Sequence, residues 1–206
     1  MRQEVPAMHP NNAFRSNDDP LAFVAAHGFA HIFGQTPDGP RVAHAPVLVS
    51  AAGTVMFHLA RGNALAQHLD GLTALISVGG PGHYVSPNWY GEPANNVPTW
   101  NYQAVEIEGP VRAMSVDELE ELLHVASATF EPRVGENWTM HKMERPRAEA
   151  MMRAITGYEL TPAAIRTTLK ASQNRSEADA AGVIAALERL GETEGAARIR
   201  AARKTS

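Results

Sequence analysis

The run His58-Leu59-Ala60-Arg61-Gly62-Asn63 places a guanidinium and a carboxamide where a strand gives way to a turn. An arginine fork beside free backbone N–H groups at a helix start is phosphate-binding chemistry. A surface arginine beside a turn is the plainer alternative. A second polar run, "LKASQNRS", holds Lys170, Ser172, Gln173, Asn174, Arg175 and Ser176 just ahead of a helical segment. It reads either as a polar cap and loop or as a second set of donors. The third is Trp100-Asn101-Tyr102, in a chain with three tryptophans and four tyrosines. An indole, an amide and a phenol at the start of a strand suit packing at a barrel mouth or a flat ligand with a polar edge.

Other chemistries find less support. The chain has no cysteine, which excludes disulfides, thiolate nucleophiles and Cys-ligated metals. Its nine histidines include no H-E-x-x-H pattern, and His27 and His31 flank a glycine and a strand start rather than one helical face. No metal site is expected. No G-x-S-x-G elbow occurs. "SVGGPGHYVS" lacks the Lys-Ser/Thr of a nucleotide-binding loop and reads as a mobile loop or as backbone N–H groups near a ligand.

A net charge of -4 is unhelpful for a stand-alone DNA binder. The basic cluster Arg198, Arg200, Arg203 and Lys204 reads as a solvated helix end. "MRQEVPAMHPNNAF" has no apolar signal region, and no apolar run approaches the ~20 residues of a membrane span. The expected location is the cytoplasm. Two glycosylation patterns, at Asn137 and Asn174, are read as chance.

The elements that must position these residues are mostly strands. Asp19-Pro20 opens a short helix that Gly28 ends. "FAHIFGQ", "RVAHAPVLVS", "TVMFHLA", "LTALISVGG" and "YQAVEIEGPVRAM" read as strands, with a turn at "TPDGP" and a bend at Gly109-Pro110. Ser115 and Glu118 form a capping box for a helix with Leu119, Leu122 and Leu123 on its face. A second helix starts near Pro146, and "GYEL" is a short strand. The end is helical, with Gly182 and Gly191 expected to weaken or break it. Short connections without a βαβ rhythm favour antiparallel pairing in a barrel or curled sheet.

Five blocks, "AHAPVLV", "HLARGN", "GPGHYVSPNWY", "VPTWNYQAVEIEG" and "LKASQNRS", resemble in order and spacing the signature blocks of the PaiB-like family, the FMN-binding negative transcriptional regulators. The likeness spans roughly Arg41 to Ser176. This chain departs at Ala43, where a threonine-like residue is usual, at Gly62 and Ala64, and at Ala171, where leucine is usual; an aromatic is also missing before Lys170. The polar side chains are kept.

The resemblance implies a mainly β fold with helices: an FMN-binding split β-barrel with packed helices and a helical C-terminal segment. Residues 1–206 would form one domain, with 177–206 as its helical extension. It implies a homodimer with FMN at the subunit interface, and a nicotinamide cofactor as possible electron donor. Arg61 and Asn63 are then expected at the phosphate, with Lys170 or Arg175 as second cation. His44 would run beside the ring, and Trp89 and Tyr90 would wall the ring or the dimer seam. Trp100, Asn101 and Tyr102 would supply stacking and edge hydrogen bonds, and Gln173 and Asn174 would close the phosphate or ribityl side. The implied function is that of a flavoprotein, either an oxidoreductase or a redox or metabolic sensor. The alternative is a repressor acting through DNA or a protein partner, with direct DNA binding weak or indirect. Haem handling is a third idea, without an axial ligand to support it.

Overall fold

The computed structural model describes residues 8–204. They form two compact units: one from the residues up to Asp18, Gly79–Val105 and the chain from Arg166 onward, the other from Asp19–Val78 and Glu106–Ile165.

The second unit begins with α1, Pro20–His27. Asp19 Oδ1 accepts the Leu21 N–H at 2.9 Å, Pro20 needs no hydrogen-bond partner at that position, and Gly28 closes the helix at φ 67°. β1, Phe29–Thr36, and β2, Gly39–Val49, form an antiparallel hairpin across the Pro37-Asp38 turn. β1 buries every second residue, Ala30, Ile32, Gly34 and Thr36, as a one-sided strand should. β3 is Val55–Ala60 and β4 is Thr73–Gly79. β6 is Thr99–Ala113 and β7 is Ile155–Leu160, β5 being the short strand His83–Val85.

Pairing passes round six strands, β4-β1-β2-β3-β7-β6, and β6 also pairs β4. The fold is mixed α/β, with five α-helices beside eight strands among the described residues. This corrects the expected mainly β split barrel: the ring of pairings is not a closed barrel. A closed barrel needs tilted strands in one continuous staggered ladder. Here the ladders are patches. β2 pairs β1 as far as Pro46, then turns to β3 from Val47. β6 meets β7 only at Val111–Ala113. Before that, Thr161 N–H donates to the Pro110 carbonyl and Ala163 N–H to that of Glu108. Thr161 O lies 1.9 Å from where a Cβ on Gly109 would stand, so only glycine admits this crossing. The bend expected at Gly109-Pro110 is therefore a close backbone approach.

Val55, Phe57, Leu59, Ile32, Ile76, Tyr158 and Leu160 fill the interior of this ring. Phe57 stacks on Tyr158, whose hydroxyl donates to Ala66 O at 2.6 Å. The outer side of β3 and β7 is covered by α2, Val116–Phe130, and α3, Arg145–Met152. The capping box forms as expected: Glu118 N–H meets Ser115 Oγ, and Glu118 Oε2 accepts the Ser115 N–H. The Arg112 guanidinium bridges Glu118 and Glu159.

The first unit is built on β5, which pairs Thr99–Asn101 of β6, and on β8, Ala164–Lys170, which also pairs β6. "SVGGPGHYVS" is thus the end of β4, a turn and β5, rather than a loop throughout. α4, Glu177–Arg189, and α5, Thr193–Lys204, pack Val183, Leu187 and Ile199 against Val85, Tyr90 and Leu169. Gly191, at φ 80°, separates the two helices as expected. Gly182 does not interrupt α4. It admits the Trp89 carbonyl, which lies 2.1 Å from the position of an added Cβ.

Candidate functional site

In the first unit β8 ends at Lys170 and the chain turns sharply before α4. Ser172, at φ 58°, is the one non-glycine residue with positive φ among those described. Its hydroxyl accepts from Asn101 Nδ2 at 2.9 Å, a buried bond. Arg203 donates to the carbonyls of Ser172 and Arg175. Gln173 folds back on its own turn: Nε2 donates to Leu169 O at 2.6 Å, and Oε1 accepts the Ala171 N–H at 2.7 Å. The "SQNR" sequence is therefore a rigid turn presenting the residues on either side of Gln173.

Lys170, Asn174 and Arg175 line a cavity of about 180 Å³ with Tyr90, Thr99 and Asn101. Lys170 Nζ donates to Thr99 Oγ1 and lies 5.6 Å from the Phe14 ring centre. The Arg175 guanidinium sits 4.4 Å over the ring of Tyr90 and donates to Asn96 Oδ1 at 2.6 Å. Tyr90 is 5% exposed, and its hydroxyl has no hydrogen-bond partner among the described residues. Among the described residues no carboxylate lines the cavity. Burial, and secondarily the charge of Arg175, hold the Lys170 ammonium below its ordinary value. Two half-buried cations lining one cavity, beside a buried hydroxyl donor, suit a dianionic oxygen-rich group. An entering phosphate would relieve their repulsion, and the donor set fits one. Whole small-molecule sites run to roughly 300–1,000 Å³, so a cavity of about 180 Å³ suits a phosphate and its link but not a whole flavin nucleotide.

The other expected residues part company. Asn101 is buried toward this cavity, whereas Trp100, 57% exposed, lies on the opposite face of the same strand with Tyr102. Trp100 meets Tyr84 edge-on across the β5–β6 pair at 6.1 Å. "WNY" is thus not one platform. Trp89 ends a single 3-10 turn, half-buried, with its carbonyl against Gly182.

Arg61, Asn63 and His44 belong to the second unit. Arg61 N–H donates to Ala154 O, and its exposed side chain lines a cavity of about 260 Å³ with Arg145, Glu149 and Arg153. Arg145 is already bound to Glu149 and Glu120, which raise its pKa further. Asn63 Oδ1 caps the Leu65 N–H at 2.9 Å. The helix expected there is a 3-10 turn, Ala66–His68, too short to offer a set of free amides. His44 is exposed and packs edge-on with His31, its cross-strand partner, at 4.8 Å.

Sequence reasoning missed Thr99, Asn96 and Phe14. Thr99 stood within "VPTWNY", but no local signal ties residue 14 to residue 170. Among the described residues no three histidine or acidic side chains gather to hold a metal, and no helix is long and apolar enough to cross a membrane.

Residues 8–163 match the family described as "Putative FMN-binding domain". The match stops short of Lys170. The chain is 29% identical over 170 residues to protease synthase and sporulation protein PAI 2 of Bacillus subtilis, covering 81% of each. In structure it is similar to the flavocytochrome Anf3 of Azotobacter vinelandii, with a TM-score of 0.59, 15% identity and coverage of 75% of this chain and 68% of that one. The FAD and haem binding protein of Mycobacterium smegmatis aligns with a TM-score of 0.56, 15% identity, and 73% and 69% coverage. These structural likenesses establish a shared fold.

Proposed function

The chain belongs to this family of FMN-binding domains, with PaiB-like relatives, and on that premise we propose that its flavin is FMN, bound non-covalently through a phosphate seated on Lys170 and Arg175. One observation carries the reading: among the described residues, two half-buried cations and a Tyr90 hydroxyl without a hydrogen-bond partner line one cavity with no carboxylate. Asn101 and Ser172 fix the turn, and Arg203 braces it from α5. Bound FMN would supply one- or two-electron redox chemistry. The chain's own residues bind and orient it. The ring system extends past the cavity, and we place it in a groove completed by a second copy of the chain, with a nicotinamide cofactor as electron donor and the cytoplasm as setting.

A repressor that reads DNA directly is the weaker reading. Arg198 is paired with Glu194 and Arg200 with Glu188, while Arg203 is turned inward to two carbonyls. Little basic surface remains on α5 for phosphates. Anisotropy with duplex DNA at about 0.15 M salt is expected to show no sequence preference.

Calorimetric titration with FMN and with riboflavin tests the proposal. FMN is expected to bind at least ~100-fold more tightly, corresponding to roughly 2.7 kcal/mol from charge-assisted contacts. Equal affinities would remove the phosphate site. Oxidation of NADH or NADPH by the yellow protein separates an oxidoreductase from a flavin sensor.

A further inference from the structure

β3 is covered on both faces. Val55, Phe57 and Leu59 are buried in the ring's interior, so alternation turns Met56 and His58 toward α2 and α3. Under those helices lies a cavity of about 290 Å³, close to the lower limit of roughly 300 Å³ for small-molecule sites. Met140, Met143, Met151 and Met152 line it, with Leu123 and Trp138. Unbranched thioethers reshape easily and make favourable contacts with aromatic rings.

Among the described residues the wall carries no charged side chain except what His58 could acquire. Burial lowers the His58 pKa below 6.5, so the imidazole is neutral at neutral pH, with one donor and one acceptor nitrogen. Ser127, the other hydrogen-bonding side chain besides the Trp138 indole, already donates to Leu123 O at 3.0 Å. An ion would lose its hydration here without a counter-charge. An uncharged ring with one polar atom loses little.

We propose that this cavity is a second small-molecule site, taking a compact, uncharged aromatic compound with one hydroxyl or carbonyl: the ring lies among the methionines and the polar atom meets His58. The proposal does not rest on the flavin reading, because every residue it uses belongs to the unit built from Asp19–Val78 and Glu106–Ile165.

The test titrates the full-length protein as purified, with whatever flavin it carries, with 1-naphthol, naphthalene and 1-naphthoate. 1-Naphthol is expected to bind one per chain, and the naphthoate anion at least ~10-fold more weakly. His58→Phe keeps the bulk and removes the polar atom. It should weaken 1-naphthol ~10-fold and leave naphthalene within about two-fold. Ala126→Leu should fill the cavity and reduce both, and it provides the decisive variant if His58→Phe melts early. Three results overturn the proposal: no 1-naphthol binding to the unmodified chain, an unchanged affinity in Ala126→Leu, or equal losses for both neutral ligands in a folded His58→Phe. Release of free, fluorescent flavin as naphthol is added would also overturn it, since the site would then not be a separate one.

Discussion

The cavity at Arg61 and the cavity at Arg175 treat charge in opposite ways. Around Arg61, the neighbouring Arg145 is held by Glu120 and Glu149, while Arg61 and Arg153 reach into water. Around Arg175, the second cation is Lys170, both are half-buried, and no acid lines the wall among the described residues. A cation that is paired or hydrated gains little from an anion, because it must give up an equivalent partner. A half-buried cation whose partners are neutral, as Thr99 and Asn96 are here, gains more in a medium less screening than water. Residue type alone therefore does not identify the anion site. The proposed site is the one whose described lining residues include no carboxylate.

The largest effect should come from removing the uncompensated pair. Lys170→Ala with Arg175→Ala is expected to weaken FMN by 100-fold or more, roughly 3 kcal/mol, and to leave riboflavin nearly unchanged. Arg61→Ala should cost FMN less than about five-fold, in line with an exposed contact. If calorimetry gives Arg61→Ala the larger loss, the comparison is reversed and the phosphate belongs to the second unit. Within the first pair, pH sharpens the point. Lys170 has a folded-state pKa below 10.5, so the folded chain loses this proton at lower pH than the unfolded chain does. The group opposes folding while protonated, and stability recovers as pH rises from its folded value toward 10.5. Bound phosphate should move that window upward, since it favours the ammonium.

A smaller effect is expected from Gly182→Ala. A methyl group there would meet the Trp89 carbonyl at 2.1 Å, so the contact must open. Urea unfolding should show a loss of about 1–3 kcal/mol despite alanine's better helix propensity. A stabilised variant would mean that α4 and the Trp89 turn are not held together as described.

The smallest belongs to the compensated side of the comparison. Arg112 and the Ser115 N–H hold the Glu118 carboxyl down to about 2, against an ordinary 4.5. The stabilisation is present above pH 4.5 and is lost as pH falls toward 2. Because the carboxylate faces water, Glu118→Gln should flatten acid unfolding in that interval while changing neutral-pH stability little. A large loss at pH 7 would show that the pair is structural in a way that its exposure does not suggest.

Local signals in the sequence are reliable where the physics is local. Asp19-Pro20 and Gly28 bound α1, and Ser115 with Glu118 opens α2. The strands can be read from alternation, but their partners cannot. Alternation says which residues share a face and nothing about where β2 changes neighbour, and this is why a barrel is the expectation where separate ladders form. β8 escapes even that reading. "AIRTTLK" carries ordinary strand residues, but its alternation is weak, and the neighbours Thr168 and Leu169 are both buried.

The candidate site is legible as residue types but not as an arrangement. Lys170, Asn174, Arg175, Tyr90 and Asn101 are all expected near a ligand, and they share one cavity. That Asn101 meets Ser172 across 71 positions, and that Gln173 serves its own turn, depends on contacts between distant strands that spacing does not encode.

Ser172 shows how tightly that turn is constrained. A left-handed serine costs on the order of 1–3 kcal/mol, which glycine would avoid. Glycine would also leave the buried amide of Asn101 without its acceptor, at a cost of about 1–3 kcal/mol. The two costs nearly cancel, so Ser172→Gly should leave the melting temperature almost unmoved. The loss would fall instead on order: the backbone between Lys170 and Arg175 would sample more conformations, and the two cations would no longer be held ready for an anion before it arrives. Stability and readiness to bind are separable at this single position.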